Sequence, residues 1–309
     1  MKIVALAGGV GGAKLADGLA QLSSGADLTV IVNTGDDFEH LGLKICPDLD
    51  TVFYTLAGIA NPATGWGRAG ESWRALEIVE SLGGPTWFRL GDLDLGLHLE
   101  RSRRLRSGEM LSQITSDFCL ALGIGAQILP MSDDVVPTRV YTNEGEMPFQ
   151  EYFVHRQCHP AVSGFRFESV EDARPAPGVL EALNKADLVI FCPSNPWVSL
   201  DPILAVPGIR DVVSSKGRIV AVSPIIGGKA VKGPAAKMYT ELGIQPSALS
   251  VARHYADLLS GFIMDKIDAE LHESIIDLGI ETCLTNTLMT TQEDRYRLAE
   301  EVVEFGMKL

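Results

Sequence analysis

The sequence predicts an α/β protein with a doubly wound, mostly parallel, Rossmann-like sheet that carries a helical insertion and a small β insertion. The first observation behind this prediction is the opening of the chain. Lys2 to Ala7 is a continuous apolar run that ends at glycines, a helical pattern covers Ala13 to Leu22, and Leu28 to Val32 is a second apolar run. Strand, helix and strand in succession form a right-handed βαβ unit, which requires a parallel sheet.

The second observation is that the same alternation returns late in the chain. Continuous apolar runs are typical of parallel strands that are buried on both faces. They cover Asp187–Cys192 and Arg218–Val222, and we predict further short strands at Phe262–Asp265 and Thr282–Thr285. Helical patterns between and after them lie around Asp211, from Pro234 to Leu242, and over Gln292–Met307. Pro234 suits the first turn of its helix, where an N–H would have no partner in any case.

The third observation is that the strand–helix alternation is absent between these two α/β segments. Helical patterns predict helices at Thr51–Ile59, Glu71–Leu82, Leu95–Arg106 and Leu111–Leu122. Residues 136–170 instead have the pattern of antiparallel strands, with a turn at Asn143-Glu144-Gly145. We therefore expect a single domain, 1–309, with its core from about 1–50 and 185–309, a helical insertion at about 51–125 and a β insertion at about 136–170.

Charge and composition limit the kinds of partner. The chain of 309 residues carries 26 Lys and Arg against 40 Asp and Glu, a net charge of −14, which argues against nucleic acid and anionic membranes as partners. It has neither an apolar stretch of about 18 residues nor a leader-like pattern after Met1, so we expect no membrane span and a cytoplasmic location. The five cysteines form no CxxC pair, which favours reduced thiols over disulfides or a zinc site.

The first candidate site follows the first predicted strand, because open parallel sheets bind ligands beyond the carboxyl ends of their strands. Its glycines are Gly8, Gly9, Gly11 and Gly12. They let a ligand approach the backbone, and the following helix N-terminus, with Lys14, can face a phosphate. A Walker A loop would have Ser or Thr after the lysine, and Lys14 stands where the dinucleotide fingerprint has its third glycine. Phosphate binding is therefore favoured over NAD, with a tight structural turn as the alternative.

Four carboxylates follow the second predicted strand within fifteen residues. They are Asp36, Asp37, Asp48 and Asp50. Such oxygen ligands suit Mg²⁺, which is held by one or two carboxylates together with substrate phosphate. An acidic cluster near a phosphate-binding segment is also typical of phosphoryl transfer. The alternative for the second pair is helix capping, with Asp48 as the N-cap and Asp50 in the first turn.

Two later strand ends add further polar residues. Ser194 and Asn195 lie between prolines after one predicted strand, and Lys229 and Lys232 lie among glycines after the next. In an acidic chain the two lysines are candidate phosphate partners. A plain turn and isolated surface lysines are the alternatives.

An aromatic segment lies within the predicted helical insertion. Trp87 and Phe88 next to Arg89 could flank a flat ring of a substrate, or they could belong to the core. The histidines lack the spacing of metal ligands, and no GxSxG motif is present, so nucleophilic serine catalysis is not expected.

Several long motifs, taken together, indicate a family. They are GGVGGAK from Gly8, NTGDD from Asn33, CPDLDT from Cys46, WFRLGDLDLGLHLERS from Trp87, LPMSDD from Leu129, CPSNPWVSLDPIL from Cys192 and SPIIGGKAVKGPAAKM from Ser223. In this order they resemble the 2-phospho-L-lactate transferase family of deazaflavin coenzyme biosynthesis, the CofD/FbiA family. The similarity extends to TLMT at Thr287–Thr290 and so covers essentially the whole chain.

The resemblance implies a reaction and its partners. Members of this family transfer a phospholactyl or phosphoenolpyruvyl group, or a glyceryl analogue, from a guanosine diphospho donor to the primary ribityl hydroxyl of the deazaflavin Fo. A phosphodiester forms and GMP leaves. The resemblance further implies Mg²⁺ as cofactor, GDP or GMP as a ligand, and a homodimer, but it does not identify the three-carbon acid.

The resemblance also assigns roles to the carboxylates. Asp36 and Asp50 match positions that hold the metal, and they are the expected catalytic residues, with Asp37 and Asp48 as neighbours. Asp50, Asp48 and Arg89 are expected to contact Fo. Arg89 stands where some members have lysine, and a planar guanidinium can stack on a ring where an ammonium cannot.

The guanosine diphosphate is expected at the glycine segment. The residues predicted to hold it are Gly8, Gly9, Gly11, Gly12, Lys14, Ser194, Asn195 and Lys229. We expect in-line attack by the hydroxyl on the β-phosphorus of the donor, with Asp36 or Asp50 orienting the hydroxyl or accepting its proton. On this basis Asp50→Asn is expected to lower turnover by orders of magnitude and to preserve the fold.

Two other functions compete with the transferase. The gluconeogenesis-factor or YvcK-like proteins share the glycine-rich start and bind nucleotide sugars in a regulatory role. The CPDLDT and WFRLGDLDL segments favour the transferase, because they match its Fo-contacting parts. A nicotinamide oxidoreductase is suggested by the βαβ start alone and is disfavoured by the missing third glycine.

Overall fold

A computed structural model describes residues 1–22 and 27–309 of the chain. Its strands are β1 (Ile3–Ala7), β2 (Leu28–Val32), β3 (Phe38–His40), β4 (Leu43–Ile45), β5 (Gln127–Pro130), β6 (Thr138–Thr142), β7 (Gly145–Pro148), β8 (Val162–Phe167), β9 (Leu188–Phe191), β10 (Ile219–Val222), β11 (Ile225–Ile226), β12 (Lys229–Ala230), β13 (Gly261–Asp265) and β14 (Glu281–Thr285). Its α-helices are α1 (Gly9–Leu22), α2 (Pro47–Leu56), α3 (Arg74–Ser81), α4 (Asp92–Arg106), α5 (Leu111–Ala121), α6 (Val179–Lys185), α7 (Asp201–Ala205), α8 (Ile209–Ser214), α9 (Ala235–Glu241), α10 (Ala248–His254), α11 (His272–Ile276) and α12 (Gln292–Gly306). Short 3₁₀- or π-helical turns lie at Glu151–His155, Val170–Asp172, Pro196–Leu200 and Lys266–Leu271.

The centre of the molecule is a parallel sheet with the strand order β14-β13-β10-β9-β1-β2-β5. From β1 the chain first adds β2 and β5 on one side, and then β9, β10, β13 and β14 on the other. The direction of strand addition therefore reverses between β1 and β9, the position at which doubly wound sheets bind ligands. The sheet confirms the predicted Rossmann-like fold class.

Side chains of the central strands alternate between two cores, as the two-residue period of a strand requires. Ile3 and Ala5 of β1 point to the core beneath α1, α2, α5 and α12. Val4 and Leu6 point to the opposite core, which is covered by α6 to α11. Because both faces are buried, the strands are continuous apolar runs rather than alternating ones.

The segments predicted as insertions lie between sheet strands. Between β2 and β5 the chain forms the antiparallel β3–β4 hairpin and helices α2 to α5. Between β5 and β9 it forms a small antiparallel sheet in the order β7-β6-β8. Gly145, with φ of +107°, closes the turn from β6 to β7 at the predicted place.

Several elements differ from the predictions, among them α2, which begins at Pro47 and has Cys46 rather than Asp48 as its N-cap. Helix α1 begins at Gly9 rather than Ala13, so most of the predicted glycine loop is the first turn of a helix. Strand β5 was not predicted, because Gln127–Pro130 is only four residues long and ends in proline. Proline is tolerated there because β5 is an edge strand of the sheet.

The described part of the chain has no candidate membrane-spanning helix and no disulfide bond. None of the helices within residues 1–22 and 27–309 has the length and apolar character that crossing a bilayer requires. The five cysteines are free thiols, and Cys46, Cys119 and Cys192 are buried.

Gly18 and Gly96 are both helical glycines, and we expect opposite effects from replacing them with alanine. A Cβ at Gly18 would lie 2.1 Å from the carbonyl oxygen of Arg295, where α1 packs on α12. Gly18→Ala should therefore lower the free energy of unfolding by about 1–3 kcal/mol. A Cβ at Gly96 would meet no atom within 4 Å, so Gly96→Ala should raise this free energy by about 0.5–1 kcal/mol. Denaturant unfolding measures both values, and a stabilising Gly18→Ala would contradict the packing of α1 on α12.

Candidate active site

Ser194 fixes the junction between the carboxyl ends of β1 and β9. Its buried hydroxyl donates to the carbonyl oxygen of Gly8 at 2.8 Å and accepts from the N–H of Gly8 at 3.2 Å. The side-chain oxygen of Asn195 accepts from the N–H of Trp197 at 3.1 Å and caps the following helical turn. Both residues therefore stabilise the backbone where strand addition reverses. The sequence also predicts that they bind nucleotide, and that role stays a prediction.

The glycine segment lets α1 approach this junction closely. A Cβ at Gly11 would lie 2.2 Å from the carbonyl oxygen of Pro193, and a Cβ at Gly12 would lie 2.7 Å from Oγ of Ser194. Gly9 has a φ of +64°, which L side chains rarely adopt. Close packing thus accounts for Gly11 and Gly12, and the tight exit from β1 accounts for Gly9.

Asp48 lies at the N-terminus of α1. Its Oδ1 accepts from the N–H of Gly9 at 2.7 Å, and its Oδ2 accepts from Nδ2 of Asn33 at 2.9 Å. Asn33 also donates to the carbonyl oxygen of Val198 at 3.0 Å and accepts from the N–H of Gly35 at 2.8 Å. A carboxylate therefore already occupies the helix terminus that was expected to face phosphate. Asn33 is not among the predicted site residues, although it opens the NTGDD motif.

Asp36 and Asp48 form a buried pair of like charges. Burial and the charge of Asp48 raise the pKa of Asp36 well above its ordinary value, against a hydrogen bond from Asn33. Burial also raises the pKa of Asp48 to about 6, although hydrogen bonds from Asn33 and Gly9 oppose the shift. Oδ1 of Asp36 has no hydrogen-bond partner among the described residues. Such a pair holds a proton or a cation at neutral pH, because two adjacent buried carboxylates do not ionise freely.

Asp37 is compensated, although it is next to Asp36 in the sequence. Oδ2 of Asp37 lies 3.2 Å from Nζ of Lys44, which the β3–β4 hairpin brings back to this point. Burial raises the pKa of Asp37, and the positive charge of Lys44 opposes that shift. Asp37 is therefore an ion-pair partner of the hairpin, although neither of its oxygens has a hydrogen bond within the described residues.

Asp50 is also compensated, by a buried arginine on α4. Nη1 of Arg101 donates to Oδ2 of Asp50 at 3.1 Å, and Nη2 donates to Oδ1. The side chain of Asp50 is only 7% exposed, and that of Arg101 is 1% exposed. His98 contributes to the same cluster, with Nδ1 3.6 Å from Oδ2 of Asp50. Both oxygens of Asp50 are thus engaged by a bidentate guanidinium, which leaves its predicted contacts with metal and Fo as predictions.

A small open pocket, with a cavity volume of about 40 Å³, lies beside the start of α4. Trp66, Trp73, Arg68, Arg89 and Asp94 are among the residues that line it. The guanidinium of Arg89 lies 4.3 Å from the ring centre of Trp73, a cation–π contact. Nε of Arg68 is buried without a hydrogen-bond partner in the described part of the chain. The pocket therefore offers flat apolar surfaces and two cations.

The aromatic residues next to Arg89 in the sequence pack elsewhere. Trp87 stacks on His155 with ring centres 5.1 Å apart, and Phe88 packs edge-on against Phe38 at 4.9 Å. Of the two interpretations, packing is the one that the structure supports. The tryptophans of the pocket lie in a glycine-rich segment before α3 that is not among the predicted site segments, and two indoles in such a segment were the available signal.

Cations gather at the carboxyl edge of the sheet near α1. Nζ of Lys14 donates to the carbonyl oxygen of Met289 at 2.6 Å. Burial, with the positive charges of Arg295 and Lys232, lowers the pKa of Lys14. Lys232 donates to the carbonyl oxygen of Thr64, which lines the open pocket. The structure thus brings Lys14 and Lys232 together.

Lys229 lies apart from this group, on β12. It lines a second open pocket of about 300 Å³ together with Asp265 and Asn286, at the carboxyl ends of β13 and β14. Asn286 is three residues before Met289, whose carbonyl oxygen binds Lys14. The second pocket therefore follows the cations along the same edge of the sheet.

Comparisons with known proteins identify relatives that match almost the whole chain. A family model described as 2-phospho-L-lactate transferase CofD matches residues 3–301. The chain is 43% identical to a phosphoenolpyruvate transferase of Streptomyces griseus, over 99% of this chain and 98% of that protein. It is 42% identical to a 2-phospho-L-lactate transferase of Methanopyrus kandleri, over 100% of this chain and 99% of that protein.

A solved structure has the same fold. Protein BH3568 of Bacillus halodurans, described as a member of the UPF0052 family, superposes with a TM-score of 0.64 over 98% of this chain and 99% of that chain. The sequences are 15% identical in this superposition. At that identity the likeness shows the fold alone.

Asp48 should make the stability of the protein depend on pH in the absence of divalent cations. Its folded-state pKa of about 6 lies above the ordinary 3.8, so the folded state binds more protons than the unfolded state between these values. The free energy of unfolding of wild type relative to Asp48→Asn should therefore fall from about pH 4 to about pH 6, by up to about 3 kcal/mol, and then level off. Denaturant unfolding at several pH values measures the difference. The exposed control Asp277→Asn should run parallel to wild type, and a flat difference for Asp48→Asn would contradict the burial of its charge.

Asp50→Asn should destabilise the fold, which corrects the expectation from the sequence that the fold is preserved. The substitution leaves the guanidinium of Arg101 buried without its counter-charge, a loss of about 3–5 kcal/mol. Thermal or denaturant unfolding measures it. Glu100→Gln, which breaks the exposed pair with Arg103 on the same helix, is the control and should leave stability unchanged. Equal stability of Asp50→Asn and wild type would contradict the buried ion pair.

Proposed function

The chain belongs to the 2-phospho-L-lactate transferase CofD family, and on this premise we propose that it moves a phospholactyl or phosphoenolpyruvyl group from a guanosine diphospho donor to the ribityl hydroxyl of Fo. GMP leaves and a phosphodiester forms. Transferase activity follows from the family, while the donor, the acceptor and the leaving group are our proposal. The observation that carries it is an aromatic and cationic pocket beside a buried carboxylate pair at the switch point of the sheet.

The rim of the open pocket offers stacking surfaces for a flat conjugated ring such as that of Fo. Indole faces and a guanidinium plane are the groups on which such a ring stacks, and Trp66, Trp73 and Arg89 provide them. The pocket also adjoins the N-terminus of α1, because a Cβ at Gly65 would lie 3.0 Å from Cγ1 of Val10. A ring bound there places its flexible ribityl chain toward the carboxylates.

The cations and the second pocket suit the donor. Lys14 and Lys232 are positive groups beside α1 in a chain of net charge −14, and they would attract a diphosphate. The second pocket, with Lys229 at its wall, continues from them along the sheet edge. We place the nucleoside of the donor in that pocket, so that its diphosphate spans the cations and its three-carbon acid reaches the acceptor.

Asp36 and Asp48 fit a magnesium ion. Oδ1 of Asp36 is buried without a partner, and the two carboxylates repel each other unless a positive charge lies between them. No three His, Cys, Asp or Glu side chains converge as a metal-ligand cluster within residues 1–22 and 27–309. Two protein oxygens, completed by phosphate and water, are a normal set for Mg²⁺. We favour Asp48 over the predicted Asp50 as the second ligand, because both oxygens of Asp50 are paired with the cationic guanidinium of Arg101, whereas those of Asp48 accept only from neutral donors.

The residues of the chain then divide the reaction between them. Mg²⁺, when bound by Asp36 and Asp48, would supply charge neutralisation of the diphosphate and stabilisation of the leaving GMP. Lys14 and Lys232 hold the donor phosphates, and the pocket holds the ring of Fo. The ribityl hydroxyl attacks the β-phosphorus in line and passes its proton to Asp36, while the bond from the β-phosphorus to the oxygen of GMP breaks. Most of the rate comes from this positioning and from electrostatic stabilisation.

The proposal is tested by incubating the purified protein with Fo and, separately, with lactyl-, enolpyruvyl- and glyceryl-diphosphoguanosine. We expect a phosphodiester of Fo and one equivalent of GMP, detected by mass spectrometry, with at least one of these donors. Chelation of Mg²⁺ should abolish the product and added Mg²⁺ should restore it. Binding of a nucleotide sugar without any transfer to Fo would favour the YvcK-like regulatory function instead.

Asp36→Asn tests the metal site. It removes one of the two proposed magnesium ligands and relieves the repulsion with Asp48, so turnover should fall by about 10²-fold or more while the protein stays folded. Mg²⁺ should raise the Tm of wild type in the presence of GDP and leave that of the variant unchanged. The exposed substitution Asp277→Asn is the control. Wild-type turnover in Asp36→Asn would contradict the proposed site.

A further inference from the structure

A buried polar network connects the open pocket with the carboxylates at the start of α2. On α4, Asp94, His98 and Arg101 are four and three residues apart, which places them on one face of the helix. On α2, Asp50 and Tyr54 are four residues apart and share one face in the same way. These two faces meet, and acidic groups alternate with donor groups across the contact.

Asp94 is the end of this network that reaches the pocket. The hydroxyl of Tyr54 donates to Oδ1 of Asp94, and Nε2 of His98 lies 3.2 Å from the same oxygen as an ion-pair contact without hydrogen-bond alignment. The side chain of Asp94 is 14% exposed and lines the pocket. Because both contacts fall on Oδ1, Oδ2 is the oxygen available to a ligand.

The other carboxylate at the pocket wall is already engaged. Glu71 accepts from the N–H groups of Leu93 and Asp94, each at 2.8 Å, and so caps α4. Asp92 does the same for α3, accepting from the N–H groups of Arg74 at 3.2 Å and Ala75 at 3.0 Å. These reciprocal caps fix the start of α4 and therefore the position of Asp94. Asp94 is left as the pocket carboxylate with an available oxygen in the described part of the chain.

We propose that Oδ2 of Asp94 binds a hydroxyl of the ribityl chain of the acceptor, and that His98 is a positioning residue that holds Asp94 for this contact. The inference rests on the proposed function, since it assumes a polyhydroxyl acceptor in the open pocket. An ionised carboxylate is a strong acceptor for a hydroxyl group. His98 is itself held from behind, because Nη1 of Arg101 lies 3.4 Å from its Nδ1. The buried Asp50–Arg101 pair therefore fixes one end of the network, and Asp94 is the end that contacts the substrate.

The first test separates the acceptor from the donor in steady-state kinetics. Asp94→Asn keeps the shape of the side chain and removes its charge, so kcat/KM for Fo should fall by about 10-fold to 100-fold, with KM for the donor unchanged. Tyr54→Phe removes only the hydrogen bond to Oδ1 and should lower kcat/KM for Fo by about 2-fold to 10-fold. The exposed control Glu100→Gln on the same helix should match wild type.

The second test asks whether His98 acts through Asp94. His98→Gln can still place an N–H near Asp94, and His98→Leu cannot, so kcat/KM for Fo should be largely retained in the first variant and lost in the second. In the double variant Asp94→Asn/His98→Leu, loss of His98 should add little to the loss from Asp94. A purely structural role would lower Tm and raise both KM values in the two His98 variants alike, and that result would overturn the positioning role.

The outcomes also separate this inference from the proposed function. If wild type transfers the group to Fo and both Asp94→Asn and Tyr54→Phe do so equally well, the role of Asp94 is wrong and the proposed function stands. If wild type neither binds Fo, by quenching of its fluorescence, nor converts it, both fail. Should Asp94→Asn not fold, Tyr54→Phe decides the inference by the same kinetic criterion.

Discussion

The hydrogen-bonded contact between Gly8 and Ser194 is the constraint on which the site depends. It joins the carboxyl ends of β1 and β9, the two parallel strands between which the direction of strand addition reverses. Because the contact is close, the first turn of α1 has glycine where a methyl group would meet the backbone of Pro193. The same approach places the N–H of Gly9 on Asp48. The position of the carboxylate pair, and with it the proposed metal site, therefore follows from the packing of two strand ends.

Some of the buried carboxylates around this junction are paired with a cation and others are not. The paired ones stabilise the fold, and the unpaired ones are free to bind a ligand. Asp37 and Asp50 have cationic partners, the partly buried Lys44 and the buried Arg101, and these pairs hold the β3–β4 hairpin and α4 against the sheet. The pair described above at the N-terminus of α1 lacks such a partner. Uncompensated buried charge is costly to a fold, and proteins keep it where a ligand provides the compensation. The net charge of −14 is therefore less informative than the position of the few acids that remain unpaired.

The sequence predicts those parts of the molecule that depend on local pattern and topology. Continuous apolar runs identify the buried strands, and the carboxyl-end rule then groups Gly8, Asp36 and Ser194 at one edge of the sheet. It does not predict contacts that form only through tertiary packing. The ion pair of Asp50 joins residues 51 positions apart, so no local pattern distinguishes it from Asp36. Trp66 was missed because its segment has no helical or strand period, and Trp73 because it fell within a predicted helix. Trp87, which begins a family motif, packs on His155 instead. Strand β5 was missed because it has only four residues and becomes buried only when it pairs with β2 at the edge of the sheet.

The pairing of β1 on its two sides has a consequence for the order in which the protein is made. One edge of β1 pairs with β2, which is synthesised soon afterwards, but the other pairs with β9, and the Gly8–Ser194 contact spans 186 positions. On the ribosome that second edge stays without its partner until β9 has left the exit tunnel. An N-terminal fragment that ends before β9 has an unpaired inner strand, the kind of edge that favours aggregation, and it contains no complete site. Closure of this long loop is entropically slow, so the catalytic edge of the sheet is assembled late in biosynthesis, after both halves of the chain exist.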